Sequence, residues 1–292
     1  MEKLVVRYFY CPICPESFAT LERLQKLFKE YEDRIHFETF NITEGDFKSD
    51  YPWSPIEKKI IRYQKPLLYG KLFVDGVEIR GFPPSAKLLK ELFDELDLEW
   101  QSDLYSFDYK KVDRDAYDCS EGFKIDKYDE TNLTDVCLVC TRHHPYIKPG
   151  SYSKERWEVP ENKKERFLAE HLNNETLIGY IAYLNNQPVG FVEGFPLEIA
   201  EKLGFPIDET DGKGLMITCL TLRKEVKGNG LAKELLQIFE REARDNYTSI
   251  QVLSFPDEHN WQPQSIYQKL GYGEVRKIDG LSLMKKELSS YK

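Results

Sequence analysis

Two segments of the chain carry residue types and spacings that could do chemistry. The first is Cys11-Pro12-Ile13-Cys14, which lies between a β-rich run and a helical pattern. A cysteine at a helix N-terminus is favoured as thiolate, because the helix dipole and the unsatisfied N–H groups lower its pKa. The pattern therefore predicts that Cys11 is the exposed, reactive thiol and that Cys14 lies one turn deeper.

The second segment, residues 221–232, joins the end of an apolar strand pattern to the start of a helix through two glycines. Free N–H groups at a helix start bind pyrophosphate, and glycines let the phosphate approach the backbone. The cations in this segment and directly after it are Arg223, Lys224, Lys227 and Lys233, while Glu225 is the acid in the loop. The chain as a whole has a formal net charge of −9. The local excess of positive charge in this segment therefore predicts an anion site.

The run Lys227-Gly228-Asn229-Gly230-Leu231-Ala232 resembles the acetyl-CoA loop of the GNAT N-acetyltransferases, R/Q-x-x-G-x-G/A. Lys227 stands where the motif has Arg or Gln. Lysine keeps the positive charge of arginine but lacks the guanidinium group that forms bidentate hydrogen bonds. A later run, residues 260–272, resembles the GNAT motif N-x-x-A-x-x-L/F-Y-x-x-x-G-F/Y. It matches at Asn260, Tyr267, Gly271 and Tyr272, with Pro263 in place of the small residue.

The resemblance implies acetyl-CoA as co-substrate and an amine-bearing acceptor. It implies that the glycine loop and Asn260 bind the cofactor, and that backbone groups of Leu220 and Leu222 hold the pantetheine arm. Tyr267 would be the general acid that protonates the departing thiolate, since a phenol is protonated at neutral pH. The alternative for Tyr267 is a core aromatic.

The general base is not fixed by the motifs. Glu193 is a candidate, against the alternative of a solvated carboxylate at a strand end. His143 and His144 could relay a proton, or they could form a surface loop feature. The identity of the acceptor is likewise left open.

The first hundred residues show the order β-α-β-α-β-β-α, which together with the CPxC resembles a thioredoxin or glutaredoxin-type domain. That family places a cis-proline just before the third strand, facing the cysteines. Here the slot falls on Gly70, and the nearby proline is Pro66. The domain is therefore either thiol-active or a vestigial scaffold or binding domain.

The remaining cysteines leave two interpretations open. Cys137 and Cys140 form a second CxxC inside an apolar helical run, where they could be buried small hydrophobes. With Cys119 and His143 they could instead form a zinc site. Cys219 is predicted as a core residue of a buried strand, and our site prediction contains no metal.

The CPxC segment and the glycine-loop segment belong to two separate α/β patterns, so we predict two domains with mixed sheets. We predict a thioredoxin-like domain at residues 1–97, a connection at 98–120 and a GNAT domain at 121–292. In the second domain the patterns predict strands at 123–128, 214–222 and 249–255, a hairpin turning at Asn185-Asn186, and helices at 133–141, 164–172, 230–245 and 264–270. A closing strand region spans 274–288.

Composition restricts the function classes. The 292 residues are 41% hydrophobic, so ordinary cores are expected. The acidic balance disfavours a nucleic-acid or anionic-membrane partner. We expect no membrane span and no signal peptide, hence a cytoplasmic protein; the oligomeric state is left open.

Three functions follow. The first is an N-acetyltransferase with a thioredoxin-like accessory domain. The alternatives are a thiol-disulfide oxidoreductase and a non-catalytic acyl-CoA-binding sensor.

Overall fold

The computed structural model describes residues 3–11, 14–42, 51–55, 57–58, 70–79, 84, 86–101, 122–141, 154–208, 213–257, 262–278 and 281–288. The chain divides into two compact units. The N-terminal unit comprises Met1–Tyr109, Ser153–Lys163 and Lys202–Gly204, and the C-terminal unit comprises Lys110–Tyr152, Lys164–Glu201 and Phe205–Lys292. Within the described ranges no helix is both long enough and apolar enough to cross a bilayer.

The N-terminal unit is built on a four-stranded mixed sheet of order β2-β1-β3-β4. Strands β1 (Leu4–Tyr10) and β2 (Ile35–Asn41) are parallel, while β3 (Leu72–Val74) runs antiparallel to β1. Strand β4 (Val77–Ile79) forms a hairpin with β3. Asp75 and Gly76 form the turn of this hairpin, and both have the positive φ that a tight two-residue turn requires.

Two helices bury their apolar faces against this sheet: α1 (Pro15–Lys29) and α2 (Ala86–Glu95). Leucine and phenylalanine side chains recur at helical spacing on both, so one stripe of each helix is apolar. The fully buried members of this core include Leu24, Phe28, Leu89 and Phe93 from the helices and Val6, Tyr8 and Leu72 from the strands.

A buried arginine fastens the segment at residues 51–58 to this sheet. Arg7 on β1 forms ion pairs of 2.8 Å with Glu38 on β2 and with Glu57, whose side chain is fully buried. The rings of Tyr51 and Trp53 each lie 5.4 Å from the Arg7 guanidinium carbon. Because the paired charges are withdrawn from water, removing one partner would leave the other uncompensated.

The C-terminal unit contains a seven-stranded sheet of order β10-β11-β9-β8-β7-β6-β5. Its strands are β5 (Lys124–Lys127), β6 (Ile178–Leu184), β7 (Gln187–Pro196), β8 (Gly214–Leu222), β9 (Ser249–Ser254), β10 (Gly273–Ile278) and β11 (Leu281–Glu287). Neighbours are antiparallel except β8 and β9, which are parallel. The predicted mixed α/β class is confirmed, and the closing strand region is a β10–β11 pair.

Among the described residues from 122 onward there are five helices: α3 (Leu133–Thr141), α4 (Lys154–Asn173), α5 (Leu197–Lys202), α6 (Leu231–Ala243) and α7 (Gln264–Lys269). Helix α4 begins ten residues before the predicted start at Lys164. Its first half is rich in charged residues and contains Pro160. The sequence there lacks the helical spacing of apolar residues that would have predicted a helix. The predicted hairpin at Asn185-Asn186 is confirmed, with φ of 50° and 58° at the two residues.

The two faces of the large sheet are covered by different helices. Helix α6 packs Leu235, Leu236 and Phe239 onto the face that carries Ile217 and Val252. Helix α3 covers β7 and β8 on the opposite face, where Val136, Cys137, Val139 and Cys140 are buried. Strands β7 and β8 are therefore covered on both faces, which explains their continuous apolar sequence.

Gly194 is predicted to be intolerant of a side chain. A methyl group added there would lie 2.5 Å from Phe239 Cζ and 2.6 Å from the backbone oxygen of Met216. Gly194→Ala should therefore lower the free energy of unfolding by about 2 kcal/mol through overpacking. Urea unfolding of the full chain measures this, with Gly273→Ala as the control because its methyl group would meet nothing within 4 Å. Equal stabilities of the two variants would contradict the expected packing.

Candidate functional site

The glycine loop, residues 227–232, lies between β8 and α6. After β8 a 3-10 turn (Lys224–Val226) leads into Lys227, and Gly228 and Gly230 then adopt φ of 89° and 81°. L-residues with a side chain rarely take these values, so the loop path depends on glycine. A methyl group at either glycine would lie more than 4 Å from every neighbouring atom of the described residues. As far as the described part of the chain shows, the space in front of the loop is open to a ligand.

The first turn of α6 presents backbone N–H groups at this opening. Gly230 is the N-cap, and no side chain forms a capping hydrogen bond there. The first i to i−4 hydrogen bond runs from Glu234 N to Gly230 O at 3.1 Å. The N–H groups of Leu231, Ala232 and Lys233 precede it and so lack an intrahelical acceptor. Together with the helix dipole they make a positive, anion-binding end.

The cations near the loop are not equivalent. Arg223 is 7% exposed and lies 3.6 Å from Glu225, which offsets its charge. The pKa of Lys227 is lowered, first because the ammonium is partly buried and second because Lys224 is nearby. A bound anion would stabilise the charged form of Lys227 and reverse this shift.

Strands β8 and β9 separate part-way along their length. Their parallel pairing covers Gly214 to Ile217 on β8 and ends at the pair Ile217–Val252. Beyond this point β8 continues along β7, while β9 continues along β11. We call the opening between residues 218–222 and β9 the strand gap.

A β-bulge marks the start of the strand gap. Glu193 pairs with Cys219 and the next residue, Gly194, pairs with Ile217, so Thr218 is the extra residue of β8. The Thr218 hydroxyl donates to the backbone oxygen of Glu193 at 3.3 Å. Bulges bend a strand and increase its local twist, which is the change of direction that parts β8 from β9.

The backbone of Leu220 and Leu222 faces the strand gap. Arg223 N donates to Val189 O on β7 at 2.8 Å. Backbone polar groups alternate between the two edges of a strand, so residues 219, 221 and 223 bond towards β7. The N–H and C=O groups of Leu220 and Leu222 therefore point the other way, towards the side of β9.

Tyr267 on α7 is fully buried, and its hydroxyl donates to Gln262 Oε1 at 3.1 Å. Burial raises the pKa of Tyr267 well above its usual value, and nearby Cys219 adds to the shift. The phenol therefore keeps its proton at neutral pH. Tyr267 packs in the same buried cluster as Ile217 and Leu220 of β8 and Val252 of β9, so its side chain lies close to the strand gap.

On the α3 face, the structure shows an ion pair that the sequence did not reveal. Lys164 Nζ lies 2.8 Å from Glu193 Oε1, and the two side chains are 6% and 7% exposed. Tyr128 donates to Glu193 Oε2 at 3.4 Å, and the Phe191 ring lies 4.9 Å from the ammonium. The interpretation of Glu193 as a solvated carboxylate is wrong, because α4 brings a lysine onto it from 29 residues away.

Three thiols surround this ion pair. Burial by itself would lower the pKa of Lys164, but Cys140 and Glu193 outweigh it and hold the pKa well above its usual value. Burial raises the pKa of both Cys137 and Cys219. Cys137 and Cys140 are thus buried small side chains, as one interpretation of the second CxxC predicted. Cys219 is less enclosed than predicted, being partly exposed.

Several predicted residues lie outside the described ranges: Asn260, Cys119, His143, His144 and Pro66. Among the residues that are described, no three His, Cys, Asp or Glu side chains are grouped to hold a metal ion.

In the N-terminal unit, the two cysteines of the CPxC differ in exposure from the prediction. Cys11 is 1% exposed, whereas Cys14 is partly exposed and is the N-cap of α1. The prediction that Cys11 is the exposed thiol is wrong, because Cys11 directly follows β1 and is buried in a cluster with Phe9, Trp53 and Phe73. Gly70, at the predicted cis-proline slot, is buried with φ of 66° and directly precedes the residue whose oxygen accepts from Phe9 N.

The family model for the Acetyltransferase (GNAT) family matches residues 146–272, somewhat under half of the chain. The chain therefore contains a GNAT acetyltransferase domain. This confirms the GNAT resemblance for that segment, while the thioredoxin-like resemblance stays a prediction. The sequence matches no curated protein.

Solved structures similar to the GNAT domain include three N-acetyltransferases. PaiA from Thermoplasma acidophilum, in complex with coenzyme A, is 18% identical over 57% of this chain and 99% of its own, with a TM-score of 0.41. An enzyme from Staphylococcus aureus Mu50 is 13% identical over 57% and 99%, with a TM-score of 0.42. The ribosomal-protein-S18-alanine enzyme from Escherichia coli is 13% identical over 59% and 97%, with a TM-score of 0.38.

The ion pair of the GNAT domain makes a stability prediction. Lys164→Met should lower the free energy of unfolding by about 3–5 kcal/mol, because Glu193 would remain buried without its counter-charge. The double variant Lys164→Met/Glu193→Gln removes both charges and should recover most of that loss. Urea unfolding of the single and double variants measures both effects. A Lys164→Met protein as stable as wild type would show that water reaches Glu193.

Proposed function

We propose that the chain is an N-acetyltransferase that moves the acetyl group of acetyl-CoA to an amine. The observation that carries this proposal is the open glycine loop at the start of α6, directly beyond the strand gap. The glycine loop would hold the phosphates, and the strand gap would hold the arm that ends in the thioester. The acetyltransferase family match to residues 146–272 supports the same assignment.

The glycine loop would bind the pyrophosphate through backbone N–H groups. Gly228, Asn229 and Gly230 are exposed, and the first turn of α6 carries N–H groups without a side-chain cap. Lys227 supplies a cation whose charged state a phosphate would stabilise. The bidentate fork of arginine is absent, so Lys227 would act as a point charge and the backbone would provide the directional contacts.

The strand gap would bind the pantetheine arm. Leu220 and Leu222 direct backbone polar groups into it, and an amide-containing arm can pair with such an edge as a strand would. The gap begins at the Thr218 bulge, so the thioester end would lie near Cys219. This arrangement brings the thioester towards Tyr267, the residue we assign as general acid.

Tyr267 would donate its proton to the departing thiolate of coenzyme A. The amine must be neutral to attack the thioester carbonyl, and the leaving sulfur gains a proton as the carbon–sulfur bond breaks. A buried phenol with a raised pKa is fully protonated and therefore available as the donor. Its hydroxyl must turn from Gln262 towards the sulfur to do so.

We also propose that the N-terminal unit is a thioredoxin-like accessory domain. Its sheet order β2-β1-β3-β4, with β1 and β2 parallel and β3 and β4 antiparallel to their neighbours, supports this assignment. So does the position of Cys11 and Cys14, at the junction of β1 and α1. The N-acetyltransferase remains the leading function because the glycine loop, the strand gap and Tyr267 all belong to the C-terminal unit.

The phosphate assignment predicts a charge-specific loss of binding. Asp and Asn both tolerate positive φ better than other side chains, so Gly230→Asp and Gly230→Asn form a matched pair. Gly230→Asp should weaken acetyl-CoA binding at least about tenfold by placing a carboxylate before the phosphates, while Gly230→Asn should weaken it by less than about threefold. Calorimetric titration with acetyl-CoA distinguishes them, and equal affinities would refute phosphate binding at the loop.

The acid assignment predicts a loss of turnover without a loss of cofactor affinity. Tyr267→Phe keeps the ring packing and removes only the proton donor, so kcat should fall roughly a hundredfold. Tyr272→Phe is the control, since this buried ring lies 5.4 Å from that of Tyr267 and has no assigned role in the reaction.

For wild type and both variants, the release of free coenzyme A is measured with a panel of amines. The affinity for acetyl-CoA is measured on the same proteins. Wild-type turnover in Tyr267→Phe would make Tyr267 a core aromatic. If wild-type protein bound acetyl-CoA but acetylated no amine in the panel, the acyl-CoA sensor would replace the enzyme as the preferred function.

A further inference from the structure

Gln262 is a buried glutamine whose side chain contacts the proposed general acid. It is 3% exposed, and its Oε1 accepts a hydrogen bond from the Tyr267 hydroxyl at 3.1 Å. Tyr267 itself is fully buried on α7. The hydrogen bond is therefore shielded from water, where a change of partner has a large effect on the charge state of the phenol.

The backbone holds Gln262 in place from the end of β9. Phe255, which directly follows β9, donates its N–H to Gln262 O at 3.0 Å, and Gln264 N donates to Phe255 O at 2.9 Å. Pro263 forms a parallel bridge with Phe255 and is the N-cap of α7. Gln262 is thus fixed to the sheet and, through Pro263, to the helix that carries Tyr267.

Gln262 adopts a backbone conformation that residues with a side chain rarely take. Its φ is 43°, in the left-handed region where Asn, Asp and His are the most frequent residues after glycine. Such conformations cost free energy and persist where the surrounding structure imposes them, often at functional sites. The backbone at position 262 therefore points to a role for this side chain, independently of its hydrogen bond.

Proton donation by Tyr267 needs a neighbouring group to offset its cost. The reference pKa of tyrosine is about 10 and that of a thiol about 8.5, so transfer from a phenol to a thiolate is unfavourable by a factor of about thirty even in water. Burial raises the pKa of Tyr267 further, because the remaining phenolate would lie in an apolar environment. A hydrogen-bond donor to the phenolate oxygen would offset this penalty.

The carboxamide of Gln262 can supply that donor. It carries an acceptor oxygen and two N–H donors on the same carbon. The bond that joins this group to the side chain is an sp³–sp² torsion with broad, roughly two-fold preferences, so a half turn exchanges oxygen and nitrogen at little cost. After that turn Nε2 would occupy the position of Oε1, next to the Tyr267 oxygen.

We propose that Gln262 is a positioning residue for acetyl transfer: its amide oxygen holds the Tyr267 hydroxyl before the reaction, and its Nε2–H stabilises the phenolate that forms during it. The amine nitrogen bonds to the thioester carbon, the carbon–sulfur bond breaks, and the sulfur takes the hydroxyl proton of Tyr267. The amine nitrogen loses one proton to solvent, and solvent returns one to the phenolate, so protons and charge balance. This inference rests on the proposed acetyl transfer and on Tyr267 as its acid.

The first test measures release of free coenzyme A by the full chain with an amine that wild type acetylates. Gln262→Met keeps the side-chain length and removes both hydrogen-bonding functions. Its kcat should fall at least about tenfold, while acetyl-CoA affinity stays within about twofold of wild type. In a Tyr267→Phe background the same change should lower kcat by less than about twofold, because no phenolate forms. Gln268→Met, at an exposed position beside Tyr267, is the control and should match wild type.

A second variant separates donation from acceptance. Gln262→Glu introduces a carboxyl group of nearly the same shape, which can donate only when protonated and can only accept when ionised. Relative to wild type at the same pH, its kcat should be at least about tenfold lower at about pH 9, where the introduced group is ionised, and should recover where it is protonated. Cys219 and Tyr272, which interact with Tyr267, have pKa values raised by burial and keep their protons in this range.

Three results overturn the inference while leaving Tyr267 as the acid. Wild-type kcat in Gln262→Met would show that Tyr267 needs no partner. An equal loss from Gln262→Met with and without the Tyr267 hydroxyl would show that Gln262 acts through packing. A Gln262→Glu enzyme as fast as wild type at about pH 9 would show that an acceptor is sufficient.

Failure of the proposed function gives a different pattern. If Tyr267→Phe keeps wild-type turnover, the acid assignment fails together with this inference, although acetyl transfer stands. If wild type binds acetyl-CoA but acetylates no amine, acetyl transfer fails as well.

Discussion

The site of the C-terminal unit depends on one extra residue in a buried strand. Thr218 interrupts the pairing of β8 with β7, and from that point β8 and β9 diverge. The divergence gives Leu220 and Leu222 an edge that no neighbouring strand takes up within the described residues. It also puts Cys219, on the opposite face, next to the Lys164–Glu193 ion pair. A regular ladder would have used those backbone groups in sheet pairing and left no room for an extended ligand.

The ion pair limits what Glu193 can do. Because both charges are withdrawn from water, each depends on the other as its counter-charge. Glu193 is therefore held by Lys164, although it lies beside the bulge. Its carboxylate instead fastens α4 and Tyr128 to β7, directly opposite the residue where β8 changes direction. The pair thus positions the strands on which the site is built.

What the sequence predicted correctly was encoded locally. The glycine loop, the Asn185-Asn186 turn and the apolar β8 each depend on neighbouring residues, so pattern and geometry agree. The misjudged features depend on partners distant in sequence: Lys164 reaches Glu193 across 29 residues, and Trp53 and Phe73 enclose Cys11. Neither burial has a periodic signature, because it arises when separate elements pack. The domain limits at 97 and 121 and the role of Asn260 stay predictions.

Each unit contains a strand that leads through a connecting segment to a helix N-terminus. The difference lies in the N-cap. Gly230 has no side chain, so the dipole and N–H groups of α6 face open space and can act on a ligand from outside. Cys14 is the N-cap of α1 and, unlike Gly230, places a side chain of the chain itself at the helix end. The end of α6 is therefore the one of the two that leaves room for a ligand to meet the helix dipole directly.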